Sequence, residues 1–175
     1  GEKLGLFPDE VETLRLAGQL HDVGKMGVPE HILQKRDTLS ETEWEVVKQH
    51  PVIGADLVWR IASLEHIAEV IRHHHERYDG SGYPDGLKGE EIPYGARILA
   101  MADAFDAMSS DRPYRTGYEL WRCLEELRKE KGKQFDPEIT EAFIDYIQQD
   151  AFIPGITIIE GRGKMHYPNS WSAQD

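Results

Sequence analysis

Seven of the eight histidines fall between positions 21 and 75: His21, His31, His50, His66, His73, His74 and His75. Imidazole nitrogen with carboxylate oxygen is a donor set that suits borderline divalent cations, so this clustering in an acidic chain points first to metal. The segment His21-Asp22-Val23-Gly24-Lys25 places an imidazole, a carboxylate and an ammonium within about one helical turn. Neighbouring helical residues project about 100° apart, so His21 and Asp22 grip different sides of one small cluster. A carboxylate has two oxygens and can bridge two cations, whereas an imidazole cannot. Asp22 is therefore the candidate bridge and His21 a terminal ligand. His50 is read at the end of a second helix, His74 and His75 at the end of a third, and Asp103 on a fourth. Together these six residues suit two N/O-ligated metals. Such a pair could clamp both sides of an in-line displacement at phosphorus and ionise a bridging water near neutral pH.

Singly, each residue has a plainer explanation. A His-Asp pair is usually a surface pair or a helix cap. His74 could be a core histidine, the His73–His75 run a solvated turn, and Asp103 a surface residue. The joint pattern favours metal, because each candidate falls near a helix–loop junction or on one bundle, and no helix carries more than two.

The elements that must position them are nearly all helical. Asp9 with Glu12 reads as a capping box for a first helix carrying Val11, Leu14, Ala17, Gly18 and His21, with Gly24 as its stop. Ser40 with Glu43 opens a second, through Trp44, Val47 and His50, and Pro51 fits a start or kink just beyond. A third runs from Leu64 through Ile67, Val70 or Ile71, and His74. The stretch from Arg77 to Pro93 holds four glycines and two prolines, so it is expected to be a long ordered loop, and such loops usually carry function. Helices are expected again over Tyr94–Ser109, about Tyr118–Lys131, and from an Asp136 cap with Pro137 at the first position to about Gln148. Ile156–Ile159 could form a short strand, and the polar tail beyond Gly161 is irregular. The fold class is all-α, in one domain.

Composition narrows the function. The net charge of −12 and a pI near 5.1 argue against tracking polymeric nucleic acid, which needs excess Lys and Arg. The single cysteine, Cys123, excludes a disulfide scaffold or a cysteine-built zinc site. No apolar run suggests a membrane span, and the first residues have no signal-peptide core, so a cytoplasmic location is expected. With no initiator Met, the chain reads as a piece of something longer.

The ordered set HDVGK, His50, HHERYDGSGYPDG and ADAFDAMSSDRPYR resembles the HD-GYP subgroup of the HD-domain metal-dependent phosphohydrolases. The resemblance runs from about Leu4 to about Phe143, and its Gly82-Tyr83-Pro84 motif is specific. It implies an HD-domain helical bundle with a long Gly/Pro-rich loop over residues 1–160, followed by an irregular tail over 161–175. It also implies a cyclic di-GMP phosphodiesterase that opens its substrate to pGpG, sometimes going on to GMP. The implied metal ligands are His21, Asp22, His50, His74, His75 and Asp103, holding two divalent ions, with iron or manganese favoured. Lys25 would approach the scissile phosphate and, with Asp22, form the catalytic pair. Arg112 and Arg115 would hold phosphate or guanine, and Tyr83 would line the pocket. The residues alone leave alternatives open. Arg112 and Arg115 could be surface charges beside Asp111, and Tyr83 a loop anchor. Glu76 and Asp79 either orient the histidines or fix the loop.

The family usually has an upstream helix that brings another histidine ligand, and nothing before Asp9 can replace it here. One metal position is therefore expected to be weakly filled, with no third metal and an apolar strip that invites dimerisation. The resemblance further implies an N-terminal receiver or sensor module. Competing readings are an HD-type phosphohydrolase of another nucleotide or cyclic dinucleotide, and a non-catalytic signalling module.

Overall fold

Pro8 opens the first helix, α1 (Pro8–Leu20), because its fixed φ suits the first helical position and its missing N–H costs nothing there. Glu10 Oε2 accepts from the Phe7 N–H at 2.8 Å. The start therefore lies earlier than the Asp9–Glu12 box expected from the sequence, and Glu12 pairs with Arg15 instead. The computed structural model describes residues 4–111 and 117–149. Arg112, Arg115, the Ile156–Ile159 stretch and the 161–175 tail lie outside the described residues.

After α1 come a 3-10 turn over Val23–Gly27, α2 (Glu30–Leu33), α3 (Glu41–Val47) and α4 (His50–Trp59). Then come a 3-10 turn over Glu65–Ile67, α5 (Ala68–His73) and a long loop with a 3-10 turn at Gly89–Glu91. α6 (Tyr94–Ser109), α7 (Leu120–Glu130) and α8 (Pro137–Gln149) complete the described chain. The pairing of extended backbone among these residues is a bridge between Lys131 and Phe135. Two expected caps are present. Ser40 Oγ accepts from Glu43 N while Glu43 Oε2 accepts from Ser40 N. Asp136 Oδ1 accepts from the N–H groups of Glu138 and Ile139.

The core has two clusters joined by α6. One gathers Ala17, Ala55, Val58, Ile67, Val70, Ile71 and Leu99 from α1, α4, the 3-10 turn before α5, α5 and α6. The other gathers Met101, Leu124, Leu127, Phe135, Ile139 and Ile144 from α6, α7, the α7–α8 connection and α8. The first cluster aims the polar site. Leu14, Ala17 and His21 follow one stripe of α1 and its end; His50, Gly54 and Val58 follow one stripe of α4. Val70, Ile71 and His74 do the same on α5, and Ala96, Leu99 and Asp103 on α6. Each helix thus buries an apolar stripe whose continuation is a histidine or aspartate.

Two readings of the sequence are corrected. His50 begins α4 rather than ending the preceding helix, because α3 stops at Val47 and Pro51 sits in the first turn of α4. Gly24 is not the stop of α1, which ends at Leu20. It lies buried within the 3-10 turn, against the backbone of α4.

Candidate metal centre

The structure brings His21, Asp22, His50, His74, His75 and Asp103 to one place. His21 Nε2 lies 3.5 Å from Asp22 Oδ2 and 3.6 Å from Asp103 Oδ1. His50 Nε2 lies 3.5 Å from the other Asp22 oxygen, Oδ1. The His74 ring sits 5.3 Å from that of His21 and 5.5 Å from that of His50, and His75 sits 4.0 Å from His74. Asp22 therefore faces His21 with one oxygen and His50 with the other, which is the placement a bridging carboxylate requires.

Three of the rings are oriented by the backbone that immediately precedes them. Nδ1 of His21, His50 and His74 pairs with the carbonyl three residues back, on Gly18, Val47 and Ile71, at 2.7, 2.8 and 2.6 Å. A carbonyl only accepts, so each Nδ1 carries a proton, and in the neutral rings of His50 and His74 Nε2 is left with a lone pair facing the centre. The Nε2 atoms of His50 and His74 are buried with no hydrogen-bond partner. Orphaned buried acceptors carry a desolvation cost that a cation would relieve. His50, His74 and His75, and likewise His21, Asp22 and His74, offer donor atoms within 4.8 Å of one another, close enough to share an ion. The donor set fits a divalent cation.

Burial pushes the imidazolium of His74 down to about 4 and that of His75 down to about 3, and lowers His50 as well. These rings are neutral at pH 7 and free to ligate. His21 moves upward because the Asp103 carboxylate faces its Nε2, and Asp103 is held below the usual carboxylate range by the same contact. Burial works to raise Asp22, but the Lys25 ammonium at 2.6 Å, with His21 and His50, brings it below its ordinary value. A pH dependence follows for the metal-free chain. Between pH 6.5 and about 4 the unfolded state protonates His50, His74 and His75 while the folded state resists, down to about 4 at His74 and about 3 at His75, so stability should fall as pH falls. His21 adds stability that is complete below 6.5 and is lost as pH rises through its raised value, so it leaves this window unchanged. Melting in excess chelator checks this, and a flat or rising midpoint on acidification across the window would contradict it.

The loop is pinned from two sides. Glu76 Oε1 accepts from the N–H groups of Asp85 and Gly86 at 2.7 and 3.0 Å, and Asp79 Oδ1 accepts from Ser81 N and Oγ. The hydrogen bonds of both carboxylates thus run to the loop. Arg77 reaches Gln134 and Glu130, which ties the loop to the α7–α8 junction. His73 faces away from the centre, its Nε2 2.9 Å from Asp85 Oδ2. His31 and His66 are exposed elsewhere. Gly82 is required by close approach, since a Cβ there would come within 2.3 Å of Arg77 N. Tyr83, next to the cis bond to Pro84, places its half-buried ring 5.0 Å from that of His75. Burial and the nearby Asp103 and Asp22 carboxylates push its phenol up to about 12, so it remains a neutral donor.

One residue beside the centre was missed. Trp44, read as part of an amphipathic helix, is 44% exposed and meets Tyr83 edge to face at 6.2 Å. Its signal would have been a large aromatic six residues before a ligand, but the contact with the loop is not local.

Among the described residues, no helix is long and apolar enough to cross a membrane. An HD-domain family model matches residues 1–139. The chain is 44% identical over 145 residues to the cyclic di-GMP phosphodiesterase response regulator RpfG of Xanthomonas campestris pv. campestris, covering 82% of this chain and 38% of that protein. It is also 44% identical over 145 residues to a cyclic di-GMP phosphodiesterase of Thermotoga maritima, covering 82% of this chain and 39% of that one. The chain thus spans well under half the length of these relatives. A solved cyclic GMP-AMP phosphodiesterase of V. cholerae (V-cGAP3) superposes with a TM-score of 0.68 at 21% identity, covering 91% of this chain and 44% of that one.

Proposed function

The chain belongs to the HD-domain family and carries its GYP signature, and from that premise we propose that it is a metal-dependent phosphodiesterase opening cyclic di-GMP to linear pGpG. The observation that carries this reading is the convergence of four histidines and two aspartates around buried, unpartnered Nε2 atoms, with Lys25 at the edge. The names of the Xanthomonas and Thermotoga relatives support the substrate. The term response regulator in the first supports an N-terminal receiver and a cytoplasmic setting.

His21, Asp22, His50, His74, His75 and Asp103 would hold two divalent cations, with iron or manganese suited to this N/O donor set. When bound, the metals neutralise the phosphodiester anion and supply an ionised water. Asp22 spans the cluster with its two oxygens. Lys25 sits beside it with its side chain 43% exposed, available to the charge that develops on the departing ribose oxygen. Arg112 and Arg115 are assigned to the substrate's phosphates, where a planar fork pairs with two oxygens. Tyr83 lines the pocket and offers its hydroxyl there. The preformed tautomers of His50 and His74 mean that these two rings need not reorganise when metal enters.

The test is incubation of the chain with cyclic di-GMP and Mn²⁺ or Fe²⁺, with products separated by chromatography. pGpG should accumulate, cease with chelator and resume when metal is restored. No turnover with either metal would overturn the reading, and faster cleavage of a cyclic GMP–AMP hybrid would reassign the substrate.

A further inference from the structure

Resting on the reading of a cyclic-dinucleotide substrate, we infer that Trp44 is a base-binding residue, stacking one purine of the nucleotide whose phosphate lies at the metal centre. Three aromatic rings lead outward from the cluster. His75 and Tyr83 are 5.0 Å apart, and Tyr83 and Trp44 6.2 Å apart, both within the range of direct ring contact. The first belongs to the metal centre and the last stands in solvent. The Trp44–Tyr83 contact is edge to face at 79°, so it occupies at most one face of the indole, and 44% of the residue remains exposed.

The short helix that carries the ring is held at both ends. Ser40 and Glu43 close a reciprocal cap on the first turn of α3, and Lys35 binds Glu43 at 2.5 Å. Lys48 N donates to the Trp44 carbonyl at the other end. An indole on a capped helix, partly exposed and joined to the candidate metal cluster through another aromatic ring, offers a platform for a base. Bases stack on such surfaces without regard to their identity, because every base has a π-face. Trp44 thus supplies affinity for a purine and no preference between guanine and adenine.

The experiment compares the parent with Trp44→Ala and Trp44→Phe, each loaded with Mn²⁺. Calorimetry measures binding of GMP, AMP and inorganic phosphate, the last having no base. Trp44→Ala should weaken GMP and AMP by about tenfold each, the effect of one lost base–aromatic stack. Phosphate binding and manganese per chain should stay within twofold. Trp44→Phe should recover most of the loss, which a purely steric or folding defect in the alanine variant would not predict. Unchanged GMP affinity in Trp44→Ala overturns the inference. So does an equal loss of phosphate affinity, which would mean that Trp44 merely supports the metal centre. The two readings fail separately. Cyclic di-GMP turnover that is indifferent to Trp44→Ala rejects the base platform alone. Trp44-dependent GMP binding by a chain that cleaves no cyclic di-GMP rejects the phosphodiesterase assignment and keeps the platform.

Discussion

Asp22→Asn is expected to lower cyclic di-GMP hydrolysis by about three orders of magnitude and to reduce bound metal by at least one ion per chain. In the structure Asp22 is the residue that meets both halves of the cluster, with Oδ1 toward His50 and Oδ2 toward His21 and Lys25. The amide keeps the shape but has one acceptor oxygen and no charge, so it cannot span two cations. It also leaves the Lys25 ammonium without its ion pair, next to histidines that must stay neutral to ligate. The measurement is metal per chain by elemental analysis alongside the initial rate. His66→Gln, an exposed histidine away from the centre, should match the parent in both. If Asp22→Asn held two ions and turned over at the parental rate, the bridging role would be wrong. If it lost metal but kept its rate, the proposed chemistry would be wrong.

What could be read in the sequence was what short-range chemistry decides. The reciprocal Ser40–Glu43 cap and the Asp136–Pro137 start each depend on residues within three positions, and both are present. The candidate ligands could be singled out because helical periodicity places His21 and His74 in line with apolar stripes that must be buried, and Asp103 on a further helix of the same bundle. Contacts made across the chain were not visible. Nothing near Trp44 shows that its ring will meet a loop residue thirty-nine positions later. The boundary between α3 and α4 was misread because His50 fits the periodicity of the helix before it, whereas Pro51 places the real helix start at His50. Gly24 was misread for a similar reason. A glycine after an amphipathic run is usually a terminator, and only the packed fold reveals what occupies the space where its side chain would be.

That space leads to the second large effect: Gly24→Ala should destabilise the chain and disable the metal centre together. A Cβ at Gly24 would lie 1.9 Å from the His50 carbonyl oxygen and 2.5 Å from Gly54 N. Both obstacles are backbone, so no rotamer change relieves them; the turn and α4 must separate. Overpacking of this kind costs about 3 kcal/mol, or a midpoint roughly 6–12 °C lower for a chain of this size. The turn holds Asp22 and Lys25, and the obstructing carbonyl belongs to His50, so separation also pulls Asp22 Oδ1 away from His50 Nε2, now 3.5 Å apart. Metal affinity should therefore fall even at temperatures where the variant is folded. Two neighbouring glycines calibrate the result. At Gly54 the added carbon would be 3.2 Å from Gly24 N and from an Ile71 methyl, so Gly54→Ala should be the milder change. At Gly18, inside α1, the nearest atom is a Leu99 methyl at 3.9 Å, and Gly18→Ala should raise stability by about 0.5–1 kcal/mol through helix propensity. Thermal melts and metal titrations on the three variants check the order. A Gly24→Ala chain that melts with the parent and binds metal as tightly would show that the turn is not seated on α4, and with it that close backbone approach is not what brings Asp22 to His50.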